Sequence, residues 1–103
     1  MMVNEFNKAF GLVMRSWRKL QGITLATASK RAGLSLYYTS QVERGQKNPS
    51  SNTMRILCAA INLPLSDALR ASADLMDGTS GLVESDVRSL YRNGDELLKE
   101  LIP

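Results

Sequence analysis

An all-α fold is what the sequence predicts, on three observations. Apolar residues recur at intervals of three and four. Gly, Ser, Thr and Asn fall where short helices need stops and caps. No run alternates apolar with polar residues at the period of a strand, and no internal repeat occurs. The 103 residues, 44% hydrophobic and 22% charged, fit one globular domain with a short appendage. A chain of this size buries only about 60 to 65% of the surface it exposes when unfolded, so a partner subunit would add stability.

Phe6, Phe10, Val13, Met14, Trp17 and Leu20 share one face of a first helix, which Gln21-Gly22 closes. Thr24 is a good N-cap for a short second helix from about Leu25 to Ala32, and Gly33 ends it. Ser35 then caps a third, from about Leu36 to Arg44, stopped by Gly45. After the polar stretch from Gln46 to Ser51, Ser51 or Asn52 caps a fourth helix that turns Met54, Leu57, Cys58 and Ile61 inward. Asn62-Leu63-Pro64-Leu65 breaks the chain. A fifth helix runs from Ser66 or its neighbours to about Met76, with Ala68, Leu69, Ser72 and Leu75 on one side. Asp77 to Gly81 reads as a linker. Beyond it, Val83, Val87, Leu90 and Tyr91, then Leu97, Leu98, Leu101 and Ile102, form two apolar clusters around Asn93-Gly94, in one helix or two.

Net charge is only +3, but it is unevenly spread. Met1 to Leu63 holds nine basic and two acidic residues; Pro64 to Pro103 holds four basic and eight acidic. A basic first part points to a polyanion partner, and the acidic remainder to another task.

With one cysteine, Cys58, and no histidine, the sequence leaves no disulfide framework, zinc finger or His-dependent triad. No metal site, cofactor site or glycine-rich phosphate loop is recognisable, and an enzyme is not expected. The start, Met1 to Glu5, lacks the character of a signal peptide, and no apolar run approaches the roughly 18 residues of a membrane span. These features predict a cytoplasmic or nucleoid-associated protein in a reducing compartment.

The triplets Gly22-Ile23-Thr24 and Gly33-Leu34-Ser35, with Val42-Glu43-Arg44-Gly45 and Asn48-Pro49-Ser50, resemble the helix-turn-helix family of phage repressors and Cro proteins, the XRE-like regulators. The similarity covers about Phe10 to Leu69, with Met14 to Arg18 matching the family's first helix. It implies a five-helix phage-repressor-like helix-turn-helix domain over 1–76; the linker over 77–81 and the C-terminal helical extension over 82–103, read from composition, lie beyond what the family fold requires. The physics of the motif is legible: Gly33 supplies a tight turn, Leu34 and Ala28 pin it to the core, and Val42 anchors the far end of the third helix.

By the same resemblance, the protein is a transcriptional regulator, a repressor or autoregulator, that reads double-stranded DNA through its third helix in the major groove. Leu36, Tyr37, Ser40 and Gln41 fall at base-contacting positions, Gln41 with an amide suited to adenine. Thr24, Ser35, Arg44, Lys47 and Asn48 fall at phosphate-contacting positions, while Lys19, Lys30 and Arg31 would add long-range attraction. Arg18 and Glu43 match a structural ion pair between the first helix and the end of the third. A homodimer would set two recognition helices about 34 Å apart and prefer an inverted-repeat operator. Leu97, Leu98, Leu101 and Ile102 would pack on a second subunit or back on their own domain.

The sequence departs from the family at several places. Leu25 stands where a glutamine grips a phosphate, Ala26 and Thr27 replace an acidic pair, and Thr39 stands at a buried aliphatic position. Thr39 can satisfy its hydroxyl on a helix carbonyl. Leu36, Tyr37 and Tyr38 make the reading face unusually apolar, with Tyr38 turning partly toward the core. Two outcomes follow: DNA reading weighted toward methyl groups and shape, or a fold repurposed as a protein-interaction module. The surviving positive charge favours DNA. The available roles are phage repressor or Cro, restriction-modification controller, antitoxin and mobile-element regulator; the length leaves no room for a self-cleaving repressor domain.

Overall fold

A computed structural model describes residues 4–78. Five helices follow one another: α1 (Glu5–Leu20), α2 (Leu25–Ala32), α3 (Leu36–Glu43), α4 (Ser51–Ala60) and α5 (Leu65–Gly78). The all-helical prediction is met. The apolar clusters from Val83 onward, including Leu97, Leu98, Leu101 and Ile102, lie outside the described residues.

Local chemistry sets the helix limits. Asn4 opens α1 by accepting the amide of Phe6 at 2.7 Å. Thr24 and Ser35 cap α2 and α3, accepting the amides of Thr27 and Tyr38 at 3.1 and 3.0 Å. The fourth cap differs from the sequence expectation. Ser50, not Ser51 or Asn52, has the extended backbone and accepts the Thr53 amide at 3.1 Å, so both expected caps lie inside the helix. At α5 the carbonyl of Pro64 receives the amide of Ala68 at 3.1 Å, and the helix runs on through Asp77 and Gly78, two residues into the expected linker.

The principal helix pairings, α1 with α3, α3 with α2, α2 with α4, α4 with α5 and α5 with α1, close a ring. Phe10, Val13, Trp17, Ala28, Val42, Leu57, Ile61, Ala68 and Leu75 fill its centre. Trp17 is fully buried, and its indole Nε1–H donates to the carbonyl of Ile61 at 2.8 Å, tying α1 to the end of α4. Leu20 and Leu69, expected to face inward, are 66% and 37% exposed. Leu20 is the last residue of α1, where the chain already turns away, and Leu69 sits at the margin of the face carried by Ala68, Ser72 and Leu75. Thr39 is buried and donates its hydroxyl to the carbonyl of Ser35 at 2.9 Å, which resolves the polar group at that core position.

The crossing of α1 over the end of α3 is close enough to require missing side chains. A Cβ on Gly11 would overlap the backbone carbonyls of Val42 and Glu43. One on Gly45 would stand 2.8 Å from the Cα of Lys8, and Gly45 also has a φ of +73°. Gly11→Ala should therefore lower the unfolding free energy by about 1–3 kcal/mol in urea denaturation, as overpacking does.

Cys58 lies beside Met14, its Sγ 3.8 Å from the Met14 Sδ. Burial pushes its thiol from an ordinary 9.0 up to about 12. Its contribution to stability is complete below 9.0 and is lost as the pH rises toward about 12. Thiol labelling at pH 8 should accordingly proceed only as fast as the native protein opens; rapid labelling of native protein would contradict the burial.

Candidate nucleic-acid interface

The turn between α2 and α3 is built on Gly33, at φ 69° and ψ 30°. Its amide donates to the carbonyl of Lys30, and that of Leu34 reaches back to Ser29 at 3.0 Å. This is the left-handed helix stop that glycine adopts at little cost. Leu34 then packs against the core and Ser35 starts the next helix, so three residues reverse the chain.

Burial divides α3 lengthwise. Thr39, Val42 and Glu43 face the core, and Tyr38 packs against it. Leu36, Tyr37, Ser40, Gln41 and Arg44 occupy the outward side, with Leu36 52% and Tyr37 70% exposed and Ser40 and Gln41 half-buried. The Ser40 hydroxyl and the Gln41 amide make no hydrogen bond to any described residue, which leaves their polar atoms available to a ligand. Arg44 is exposed and folds back so that its Nε–H donates to the Ser40 carbonyl at 3.3 Å.

The residues expected at phosphates, Thr24, Ser35, Arg44, Lys47 and Asn48, are all exposed. Two of them also hold helix ends. Thr24 spends its hydroxyl proton on Thr27 at 2.9 Å while accepting the Thr27 amide. Ser35 accepts the Tyr38 amide and retains its own proton for an outside acceptor. Arg31, read from the sequence as a source of long-range attraction, is exposed and donates to the carbonyl of Ala60 at 3.2 Å. With Arg55, Ile56, Ala59 and Asn62 it lines an open depression of about 450 Å³ between α2 and α4.

Electrostatics are one-sided. Between Phe6 and Ser66 the sequence contains one carboxylate, Glu43, and it is buried against Arg18. Lys8, Arg15, Lys19, Lys30, Arg31, Arg44, Lys47 and Arg55 are exposed over the same stretch. Nor does any acidic residue occupy the first turns of α2, α3 or α4, whose caps are the neutral Thr24, Ser35 and Ser50. The partial positive charge of these three helix starts is therefore not neutralised by the protein itself. The aspartates begin at α5, with Asp67, Asp74 and Asp77. Sequence reasoning missed Ser50 as a cap; the Ser-x-x-Thr spacing to Thr53 was the available signal.

Glu43 and Arg18 form a two-pronged pair, Nε to Oε2 at 2.7 Å and the terminal nitrogen to Oε1 at 3.0 Å. The other terminal nitrogen of Arg18 donates to the carbonyl of Ile23 at 2.9 Å. One guanidinium thus joins α1, the approach to α2 and the last residue of α3. The pair fixes how the outward side of α3 is presented. Among the described residues no cluster of three or more His, Cys, Asp or Glu could hold a metal, and no helix is long and apolar enough to cross a membrane.

The Helix-turn-helix family model matches residues 14–67. Over 66 residues the chain is 44% identical to the transcriptional regulator ClgR of Mycobacterium tuberculosis, an alignment spanning 64% of this chain and 59% of that protein. It is 30% identical over 83 residues to an uncharacterised HTH-type transcriptional regulator of the same species, covering 81% of this chain and 54% of the relative. The chain thus spans a little over half the length of these curated relatives. Among solved structures, the clp gene regulator ClgR from Corynebacterium glutamicum matches with a TM-score of 0.69 at 26% identity, covering 91% of this chain and 95% of that one. The restriction-modification controller protein C.AhdI from Aeromonas hydrophila matches at 0.58 and 29% identity, covering 60% and 94%.

Removing one member of the buried pair strands the other charge. Glu43→Ala should cost about 3–5 kcal/mol of folding stability in chemical denaturation, and the double variant Arg18→Met, Glu43→Leu should recover most of it.

Proposed function

The chain belongs to the XRE-like helix-turn-helix family, and on that premise we propose that it is a DNA-binding transcriptional regulator that seats α3 in the major groove. The observation that carries this reading is the stretch from Phe6 to Ser66, which exposes eight cations and no carboxylate and includes a helix, α3, whose outward amide and hydroxyl are unengaged. Such a surface suits the phosphate backbone, which dominates affinity and makes it salt-dependent. The similar proteins, transcriptional regulators and a restriction-modification controller, agree with it.

The finer assignment is residue by residue. Gln41 reads a base edge, its carbonyl and NH₂ matching N6 and N7 of adenine. Ser40 contributes a second polar contact, and Leu36 and Tyr37 cover the base edges nearest the start of α3. Thr24, Ser35, Arg44, Lys47 and Asn48, with the free amides at the starts of α2 and α3, hold phosphates and set the register without specifying sequence. A homodimer on an inverted repeat is the arrangement that gives one short helix enough bases to read. Its small core and the apolar residues Leu97, Leu98, Leu101 and Ile102 support that arrangement, with repression or autoregulation as the outcome of occupying a promoter.

Selection from a random duplex pool tests the proposal, because it reads binding, palindromy and half-site spacing together. Affinity for the enriched duplex should fall steeply with salt. Gln41→Ala should lose about 1–3 kcal/mol of discrimination at one position. Lys47→Ala should weaken all sequences alike and reduce the salt slope by about 1. No enrichment, with salt-independent weak binding, would overturn the proposal in favour of a protein-interaction module.

A further inference from the structure

Two of the largest exposed apolar side chains of the domain are adjacent, Leu36 at 52% and Tyr37 at 70% exposure, and both stand in the first turn of α3. Two of the hydroxyls beside them make bonds within the helix. The Ser35 hydroxyl accepts the Tyr38 amide at 3.0 Å, and the buried Thr39 hydroxyl donates to the Ser35 carbonyl at 2.9 Å. The nearest side chains on the outward side with free polar atoms, Ser40 and Gln41, come a full turn later. Apart from the Tyr37 hydroxyl, the side chains within the leading turn of α3 therefore present hydrocarbon, beside the Ser35 hydroxyl proton and the backbone amides at the helix start.

A ligand that covers this hydrocarbon must also accept its surroundings. These are a helix start capped by a neutral serine with no acidic residue in its first turn, and a domain that exposes no carboxylate from Phe6 to Ser66. Charge complementarity excludes a basic or plainly apolar protein face and favours a polyanion that carries isolated apolar groups. Duplex DNA offers one such group in the major groove, the C5-methyl of thymine.

Resting on the DNA-reading role of α3, we infer that Leu36 and Tyr37 recognise methylated pyrimidines, so that specificity at the start of α3 resides in C5-methyl groups rather than in hydrogen bonds. The two side chains are specificity-determining through apolar contact, and Gln41 supplies the hydrogen-bonded part of the readout one turn later. A consequence is chemical rather than sequence-based selectivity. Thymine and 5-methylcytosine carry the same methyl at the same edge, whereas uracil and cytosine lack it.

The test uses the full chain and the duplex it enriches from a random pool. Each thymine of one half-site is replaced in turn by deoxyuridine, which keeps every hydrogen-bonding atom and removes only the methyl. One or two positions should weaken about three- to fivefold each, the size expected for one buried methyl. At those positions a C·G pair bearing 5-methylcytosine should bind more tightly than unmodified C·G. Leu36→Ala or Tyr37→Ala, each checked for native helicity by circular dichroism, should abolish the thymine–uracil difference at its own position while leaving the salt dependence intact. Enrichment of a duplex in which deoxyuridine is neutral everywhere would overturn the methyl reading and leave DNA binding standing. So would alanine variants that bind DNA unchanged, which would assign the patch to a protein partner. A chain that enriches no duplex fails at the earlier step, the DNA-binding reading itself.

Discussion

The arrangement depends on one contact, the buried pair between Arg18 on α1 and Glu43 at the end of α3. Three of the guanidinium's nitrogens are engaged, two by Glu43 and one by the carbonyl of Ile23, so the side chain cannot turn without breaking several bonds together. Burying the two charges is not in itself a large source of stability, because desolvation offsets much of their attraction. What the pair supplies is direction. It sets the angle of α3 and the start of α2 from a single point on α1, and it works because Gly11 lets the helix backbones come together there.

Around that point the domain separates holding from presenting. The inward sides of the helices form a closed ring with Trp17 and Phe10 near its centre, and the left-handed stop at Gly33 turns α3 with three residues. None of Leu36, Tyr37, Ser40 or Gln41 belongs to the fully buried core. Their side chains are presented by the scaffold without helping to build it. The neutral caps serve both ends: Ser35 and Ser50 satisfy helix amides and leave the helix starts positive toward solvent.

Much of this was legible in the sequence, for identifiable reasons. The five helices of the described residues and the limits of α2 followed from strong local signals, for α2 a hydroxyl at the start and a glycine at the end. Where local signals compete, the sequence was ambiguous. Ser50, Ser51 and Asn52 are all good caps, and the structure selects the first, whose hydroxyl meets both the amide and the hydroxyl of Thr53. Periodicity placed Leu20 and Leu69 on apolar faces but could not say where the partner surface ends. The need for glycine at position 11 is invisible locally, since its cause is a carbonyl 32 residues away. The engagement of Arg31 by Ala60 is likewise tertiary. The positions Leu36, Tyr37, Ser40 and Gln41 came from the family resemblance, and the structure leaves the first two exposed and the last two half-buried. What they touch depends on a second molecule that no single chain encodes.

Trp17 gives the domain an optical property of its own. It is the chain's one tryptophan, 1% exposed, and its indole is hydrogen-bonded to a carbonyl 44 residues along the chain. Its fluorescence therefore reports whether α1 and the end of α4 are still joined. A ligand on the exposed side of α3 would touch none of the indole's surface. The molecule carries an internal gauge of its own integrity that is spatially insulated from recognition, so loss of binding and loss of fold can be told apart in one cuvette.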